Sequence, residues 1–415
     1  MNYRTLISVV AAGVGLLAAG ATTLVSTPAT AGGFAQGFQG APSAGVSGAV
    51  TGRPDVPEAG YYNPAGWTLQ DEWGLGAGSS ALFPSIYHEG QAGQRTQAEV
   101  DGAFPPYLHA FGQFGDFAAG VTAGIPYGAT VQWPEEWRGR FEATSTSFRT
   151  MEVAPSVAWR PIDELAIGAG PRLVRSDLGF ERALDFAQED QEGTVELDAD
   201  AYGVGGQVGI WGRVHDAWTI GGSWRSAIDL DMEGMARFED VPREMERSAY
   251  DTRARTEMVL PHRFALGVAY ELAVSGIISV DIEYTRWGVY ETFDVEFESG
   301  DIDQISEERD WGNTIAMRAG AEYMAPVDGL VIRSGLALEP SPAPEEAVTA
   351  AQPDTDRTVT SLGIGYEPVA GVAFDVAYNF VILSQTPGAD DGFSGAYGGH
   401  IHAFTAGLHV RPFTD

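Results

Sequence analysis

A strict alternation between apolar and small or charged residues over positions 264–284 limits what this chain can fold into. Phe264, Leu266 and Val268 alternate with alanine and glycine, and a second run over 278–284 alternates in the same way after a short break. Successive side chains of a strand point to opposite faces, so the pattern predicts a β-hairpin with one oily face. That face must meet either a second protein layer or lipid.

The first 31 residues have the features of a secretory signal peptide. Arg4 precedes an apolar run over 6–17, and small residues lead to Ala29-Thr30-Ala31. This order predicts cleavage before Gly32. An uncleaved anchor helix is the alternative, but the apolar run is shorter than the ~20 residues that span a bilayer. No later stretch could form a spanning helix, so a role in the membrane requires a closed barrel.

From residue 69 onward the pattern predicts fourteen strands. Their approximate spans are 70–83, 105–115, 117–132, 146–160, 165–180, 197–213, 218–238, 252–272, 276–298, 312–324, 330–339, 357–367, 372–385 and 401–413. Connections of a few residues alternate with longer, mostly acidic ones, which is the topology of bacterial outer-membrane barrels. The predicted fold class is therefore all-β, a 14-stranded antiparallel transmembrane β-barrel over 69–415. Residues 32–68, rich in Gly, Ala, Ser and Pro, are expected to form an N-terminal hatch, or plug, inside the lumen.

The same alternation predicts which side chains face lipid. Over 218–232 the oily set is expected to point outward and the acidic set into the lumen. The outward set is Trp218, Ile220, Trp224, Ile228, Leu230 and Met232, and the inward set is Asp229, Asp231 and Glu233. Tryptophans near strand ends are expected to form interfacial girdles. They are Trp159, Trp211, Trp218, Trp224, Trp287 and Trp311.

The charge balance is strongly acidic, with 57 acidic residues against 24 basic ones and a net charge of −33. A chain with this balance is not expected to bind nucleic acid through its phosphates. Two interpretations of the acidic loops stay open: a surface adapted to salt, or bridging to lipopolysaccharide through divalent cations. The chain has no cysteine, which excludes disulfides and thiolate metal sites.

One predicted strand contains a proline. Pro126 lies in the sequence Gly124-Ile125-Pro126-Tyr127-Gly128 within the third strand. Proline removes a donor from the hydrogen-bond ladder, so in a closed barrel it predicts a kink or gap in the wall. A strand that ends at Ile125 is the alternative.

Several motifs, in order along the chain, resemble those of the FadL family of outer-membrane transporters for hydrophobic compounds. They are Tyr62-Asn63-Pro64-Ala65-Gly66, Pro126-Tyr127-Gly128 with Trp133 and Trp137-Arg138-Gly139-Arg140-Phe141, Leu260-Pro261 before 264–270, the run 281–287, the run 339–344, and Pro353-Asp354-Thr355-Asp356-Arg357. The resemblance implies a fourteen-stranded barrel with an N-terminal hatch. It also implies a lumen site and a lateral exit through a kinked third strand.

The resemblance also assigns residues. The lateral gate maps to Pro126, Tyr127 and Gly128. The substrate-binding residues that it implies are Gly33, Phe34, Asn63, Pro64 and Ala65. This chain departs from the family at 181–196, which is expected to be a short acidic loop, so the resemblance does not extend to an external capture site there.

The predicted function is passive outer-membrane transport of hydrophobic small molecules, with long-chain fatty acids or aromatic hydrocarbons as ligands. The expected partners are that ligand and the outer-membrane lipids, including lipopolysaccharide, around a monomer. The alternatives are a general diffusion porin for polar solutes, a lipid-modifying barrel enzyme and a surface adhesin. No catalytic, phosphate-binding or cofactor motif is present, so neither catalysis nor a cofactor is expected, and His400 and His402 lack a third metal ligand.

Overall fold

A closed antiparallel β-barrel surrounds a plug of short helical turns in the computed structural model. The structure describes residues 33–412 except 71, 187–190, 246–248, 274, 299–303 and 390–392. The predicted signal peptide lies outside the described residues. Within those residues no helix is long and apolar enough to cross a membrane.

In the part of the chain that the structure describes, twenty strand segments make up the wall. Numbered along the chain, they are β1 (Trp73–Gly90), β2 (Arg95–Gln97), β3 (Pro106–Phe114), β4 (Phe117–Gly124), β5 (Gly128–Gln132), β6 (Ser145–Ile162), β7 (Leu165–Phe186), β8 (Gln191–His215), β9 (Trp218–Arg225), β10 (Ile228–Glu239), β11 (Thr252–Leu260), β12 (Arg263–Leu272), β13 (Gly276–Thr285), β14 (Thr292–Phe297), β15 (Gln304–Glu308), β16 (Thr314–Met324), β17 (Leu330–Glu339), β18 (Arg357–Val369), β19 (Val372–Pro387) and β20 (Gly395–Val410). Six pairs of consecutive segments each form one interrupted strand: β2 with β3, β4 with β5, β9 with β10, β11 with β12, β13 with β14, and β15 with β16. The barrel therefore has fourteen strands, and β1 closes it by pairing with β20 as well as β3. The predicted fold class is confirmed.

The hairpin predicted over 264–284 consists of β12 and β13, which pair with Phe264 opposite Tyr284 and Leu266 opposite Ile282. Its apolar side chains are exposed on the outer surface, while Ala265 and Asp281 are buried on the lumen side. An oily outer face over this length is what a bilayer requires.

The seventh strand reverses its faces halfway along, which corrects part of the prediction. Trp218 and Ile220 on β9 face outward as expected. The predicted outward set is wrong for Ile228, Leu230 and Met232, which are buried in the lumen, and the list of acids predicted to face inward is also wrong: Asp229, Asp231 and Glu233 are exposed on the outside.

The cause of this reversal is one extra residue in the seventh strand, at the interruption between β9 and β10. Arg225 lies opposite Gln207 of β8, but Glu233 lies opposite Asp200 instead of Ala199, so the register shifts by one. One added residue moves every later side chain of a strand to the opposite face. The adjacent eighth strand changes phase in the same region, because Pro261 and His262 separate β11 from β12. At the end of the barrel with the long connections, these strands therefore have an apolar inner face and a charged outer face.

The tryptophan prediction is correct only in part. Trp159 and Trp218 are exposed on the outer surface, but Trp211, Trp287 and Trp311 are buried inside the barrel. The prediction of a loop over 181–196 is also wrong, because β7 continues to Phe186 and β8 already begins at Gln191.

Candidate functional site

The N-terminal hatch fills the lumen at the end with the short turns. It contains short helices at Ala41–Gly45 and Ala59–Tyr62 and a 3₁₀ helix at Pro64–Leu69. Pro64 starts the last of these, where its missing N–H costs nothing, and the Asn63 side chain caps it by accepting from the Ala65 N–H. A proline and a capping asparagine at this position thus define the start of the 3₁₀ turn.

Asn63, Pro64 and Ala65, predicted to bind substrate, lie where the hatch touches the wall. The Asn63 amide donates to the backbone oxygens of Thr51 and Ile210 at 3.1 and 2.9 Å. A Cβ on Gly209 would lie 2.1 Å from the Asn63 side-chain oxygen, so only glycine allows this approach. These residues fix the hatch against β8, and their contact with a substrate stays a prediction.

Buried ion pairs surround the hatch. Glu152 accepts from Arg172 Nε and Nη2 at 3.0 and 2.7 Å, and also pairs with Arg225. Arg263 Nη1 donates to the Tyr61 hydroxyl at 2.8 Å, and the Arg225 guanidinium lies 4.3 Å from the centre of the Tyr61 ring. Charges held this deep in a barrel must be paired, and here the pairing connects wall to wall and wall to hatch.

A cluster of buried apolar side chains, which we call the apolar chamber, lies above the hatch, in the part of the barrel where the seventh and eighth strands have reversed their faces. Its lining is buried and largely aromatic or branched. The principal lining residues are Phe148, Val174, Leu178, Leu197, Ile228, Leu230, Met232, Met258, Leu260, Trp287, Tyr290 and Trp311. The reversal of faces thus adds the side chains of β10 and β11 to this apolar interior.

Phe34 occupies this chamber. Its ring centre lies 5.2 Å from that of Phe148, 5.4 Å from Trp311 and 6.1 Å from Trp287, and the side chain is only 7% exposed. Gly33 lies against the Trp287 ring, where a Cβ would be 2.5 Å from the nearest ring carbon. The two predicted residues therefore meet in one apolar site, which the Phe34 ring fills, and their contact with a substrate stays a prediction.

Polar groups hold the segment that carries Phe34. The Gly33 N–H donates to Asp354 Oδ2 at 3.3 Å, and Arg357 Nη2 donates to the Gly33 carbonyl at 2.6 Å and to Asp354 Oδ1 at 3.0 Å. Burial, together with the neighbouring Asp354 charge, raises the pKa of Asp356 to about 6. Part of the Pro-Asp-x-Asp-Arg motif is thus a dock for the N-terminal segment.

The third strand is interrupted at 125–127, between β4 and β5. The N-terminal segment crosses this kink: the Gln36 N–H donates to the Pro126 carbonyl, and the Gly128 N–H donates to the Phe34 carbonyl, both at 2.8 Å. The predicted gate residues Pro126, Tyr127 and Gly128 therefore lie next to the segment that carries Phe34. The sequence prediction of a kink agrees with this geometry, whereas a gating role stays a prediction.

A gap in the wall accompanies the kink. The ladder between the second and third strands ends with Leu108 opposite Ala123. Within the fully described stretch 99–132, the next backbone hydrogen bond between these strands joins the Glu99 N–H to the Gln132 carbonyl at 2.7 Å. Between these two points the third strand pairs on its other side with β6 but not with the second strand.

The polar edge of the chamber was not predicted from the sequence. Tyr127 is fully buried with an unpartnered hydroxyl, in electrostatic contact with Arg172, Arg225 and Arg263. The Nε atoms of Arg225 and Arg263 also lack hydrogen-bond partners. The available signal was the presence of arginines at lumen positions of β7, β9 and β12, but their convergence depends on the barrel register.

Comparisons with known proteins agree with this architecture. The family model described as "Outer membrane protein transport protein (OMPP1/FadL/TodX)" matches residues 22–408. Outer membrane protein P1 of Haemophilus influenzae is 24% identical over 322 residues, covering 71% of this chain and 68% of that protein. The long-chain fatty acid transport protein of Escherichia coli strain K12 is 23% identical over 408 residues, covering 87% of this chain and 90% of that protein.

Solved structures share the fold. A FadL homologue of Pseudomonas aeruginosa superposes with a TM-score of 0.81 at 18% identity, covering 91% of this chain and 99% of that chain. The toluene transporter TodX of P. putida superposes with a TM-score of 0.76 at 16% identity, over the same fractions of the two chains. At this level of identity the likeness establishes the architecture.

Proposed function

Because this chain belongs to the OMPP1/FadL/TodX family of outer-membrane transport proteins, we propose that it carries long-chain fatty acids and releases them sideways through the gap in its third strand. As a member of this family, the protein lies in the outer membrane of a Gram-negative bacterium and transports hydrophobic compounds passively. Family members are transport channels rather than enzymes.

The apolar chamber plugged by Phe34 is the observation that carries the proposal. A site of this kind excludes ions and sugars but accepts a hydrocarbon chain, since burying apolar surface contributes roughly 0.8 kcal/mol per CH₂. A ligand could replace the Phe34 ring without exposing the chamber to water. A diffusion pore for polar solutes would have a wet lumen at this level instead.

Fatty acids are favoured over pure hydrocarbons by the charge at the edge of the chamber. The unpartnered Tyr127 hydroxyl and the free Nε–H groups of Arg225 and Arg263 suit a carboxylate. Relatives of this chain include proteins named for long-chain fatty acid transport. The aromatic lining keeps a second candidate in view, monoaromatic hydrocarbons, which fold neighbours such as TodX are named for transporting.

Lateral release is supported by the broken ladder between the second and third strands. An apolar ligand that left through this gap would pass into the outer leaflet without returning to water. The gap lies beside Pro126, and the segment that carries Phe34 crosses the same kink. Undocking of the segment that carries Phe34 would therefore open the gap in the same movement.

The test compares uptake of labelled oleate and toluene by cells that lack their own transporter and express this protein. Oleate uptake above that of empty cells, lost when Arg225 and Tyr127 are changed to Met and Phe, is the expected result. Trp218→Phe on the outer face serves as the matched control. Equal uptake with and without the protein would refute transport of fatty acids. Toluene uptake alone would establish the second candidate, and a steady ion conductance in planar bilayers would favour a porin.

We further propose that the protein acts as a monomer among lipopolysaccharide and other outer-membrane lipids, with 32–68 as the hatch and 69–415 as the barrel. The closed barrel supports the monomer, because the first strand pairs with the last and leaves no terminal edge strand to pair with another chain. Sedimentation of the purified protein in detergent tests this, and a stable dimer would contradict it.

A further inference from the structure

A small cavity lies at the inner side of the wall gap and contains two buried polar side chains with unused hydrogen-bonding atoms. They are Glu58 on the hatch and His109 on β3. Each side chain belongs to a residue that is only 1% exposed. A buried polar atom without a partner costs about 1–3 kcal/mol, so two in one cavity indicate a function for the pair.

Glu58 is held by one of its oxygens only. Oε1 accepts from the Ser43 N–H at 2.8 Å, whereas Oε2 has no partner. Gly40 packs so closely against this carboxyl group that a Cβ would lie 2.3 Å from its carbon. The hatch therefore fixes the direction of the carboxyl group and leaves Oε2 available.

His109 is fixed in a similar way. Its Nε2 lies 3.0 Å from Nδ1 of His409, whose ring stacks on it with centres 4.9 Å apart. Its Nδ1 has no partner. One ring nitrogen is thus committed to the wall, and the other is free in the cavity region.

The cavity is lined by residues from both faces of the wall. Leu108, 42% exposed on the outer surface, lines it together with the buried His109 and Thr122. Ala123, Gly124 and Pro126 also line it, at the place where the ladder between the second and third strands ends. A group leaving the lumen through the gap would pass these side chains.

We propose that Glu58 and His109 form a binding subsite for the hydroxyl of an amphipathic ligand, either a long-chain alcohol or an un-ionised carboxylic acid, as it leaves through the gap. This subsite rests on the lateral release proposed above. A ligand hydroxyl can donate to Glu58 Oε2 and accept from an Nδ1–H of His109. The same two groups pair equally well with the protonated carboxyl group of a ligand. This subsite differs from the arginine edge of the chamber, which suits an ionised carboxylate.

The physical need for such a subsite is the cost of taking a polar group into hydrocarbon. An unpaired hydroxyl that enters an apolar medium loses its hydrogen bonds at a cost of several kcal/mol. Two partners at the gap let the hydroxyl keep its hydrogen bonds until the chain is already in lipid. A pure hydrocarbon needs no such help, so the subsite predicts selectivity.

The experiment measures uptake of 1-dodecanol, laurate and dodecane by transporter-deficient cells that express the full chain. The variants are Glu58→Met, which removes both oxygens at similar length, Glu58→Gln, which keeps a polar end, and His109→Phe, which keeps a flat ring. Glu233→Gln, on the exposed outer face of β10, is the control. A heat-modifiable gel shift verifies folding, and if Glu58→Met fails to fold, His109→Phe carries the test.

For Glu58→Met and His109→Phe we expect uptake of dodecanol and laurate to slow by about tenfold, which is the effect of one hydrogen bond. Uptake of dodecane should be unchanged. Glu58→Gln should recover part of the rate. Unchanged rates for all three probes would overturn the subsite, as would an equal slowing of all three, which indicates a purely structural role. A structure with dodecanol that shows only an ordered water between Glu58 and His109 would also overturn it. In each of these cases wild-type uptake still supports transport, whereas no wild-type uptake of any probe removes the proposed function and the subsite together.

Discussion

Replacing Phe34 with alanine should undock the N-terminal segment from the apolar chamber. The Phe34 ring is buried among Phe148, Trp287, Tyr290 and Trp311. Truncating a buried phenylalanine to alanine costs about 3–5 kcal/mol. The segment carries no other aromatic group in this chamber, so most of that cost should fall on the docked state.

The expected size follows from this cost. A loss of about 3 kcal/mol lowers the ratio of docked to undocked segments by roughly 10²-fold, because 1.4 kcal/mol is a factor of ten. The Gly128 N–H, which donates to the Phe34 carbonyl, and the Gln36 N–H, which donates to the Pro126 carbonyl, report on docking directly. Their hydrogen-exchange protection should fall by about that factor.

The assay is hydrogen exchange with mass spectrometry on the mature protein in lipid nanodiscs. Phe114→Ala is the matched control, because Phe114 is exposed beside the short turn after β3. Amides in the ladder of β12 and β13 should keep their protection in both variants. If Phe34→Ala leaves the Gly128 amide as protected as in the wild type, the Phe34 ring does not hold the N-terminal segment in the chamber.

Three further predictions concern the wall and the hatch. Pro126→Ala should slow substrate uptake with the fold intact, because the strand regains a ladder donor; an unchanged uptake rate would argue against lateral release. Glu152→Gln leaves Arg172 and Arg225 without a counter-charge and should cost about 3–5 kcal/mol, seen as a lower midpoint in a heat-modifiable gel shift, and no shift would contradict a buried triad. Burial raises the pKa of Glu58 to about 7 from 4.5, so hatch stability should be highest below pH 4.5 and decline up to pH 7; protection of the Ser43 amide measures this, and Glu58→Gln should remove the decline.

The main features of the wall could be predicted from the sequence because strand alternation is a local property. The count of fourteen strands, the outward faces of β12 and β13, and the interruption at Pro126 all follow from residue order and from what proline does to a ladder. The tryptophans show the limit of this approach. Trp287 and Trp311 lie near strand ends like Trp159, yet only Trp159 is outside, because position along a strand does not fix which face the ring takes.

The sequence by itself determined that this chain forms a closed sheet with an oily outer face, a plug made of glycine-rich turns and a weak point in the third strand. Only the tertiary structure decided which side chains face inward near the long connections. The interruption after Arg225 turns Ile228 and Leu230 into the lumen and Asp229 out of it. The physical reason is that one inserted residue moves every later side chain of a strand to the opposite face. Register and interruptions in the barrel, rather than composition, therefore create the chamber and bring Phe34, Tyr127 and the arginines together.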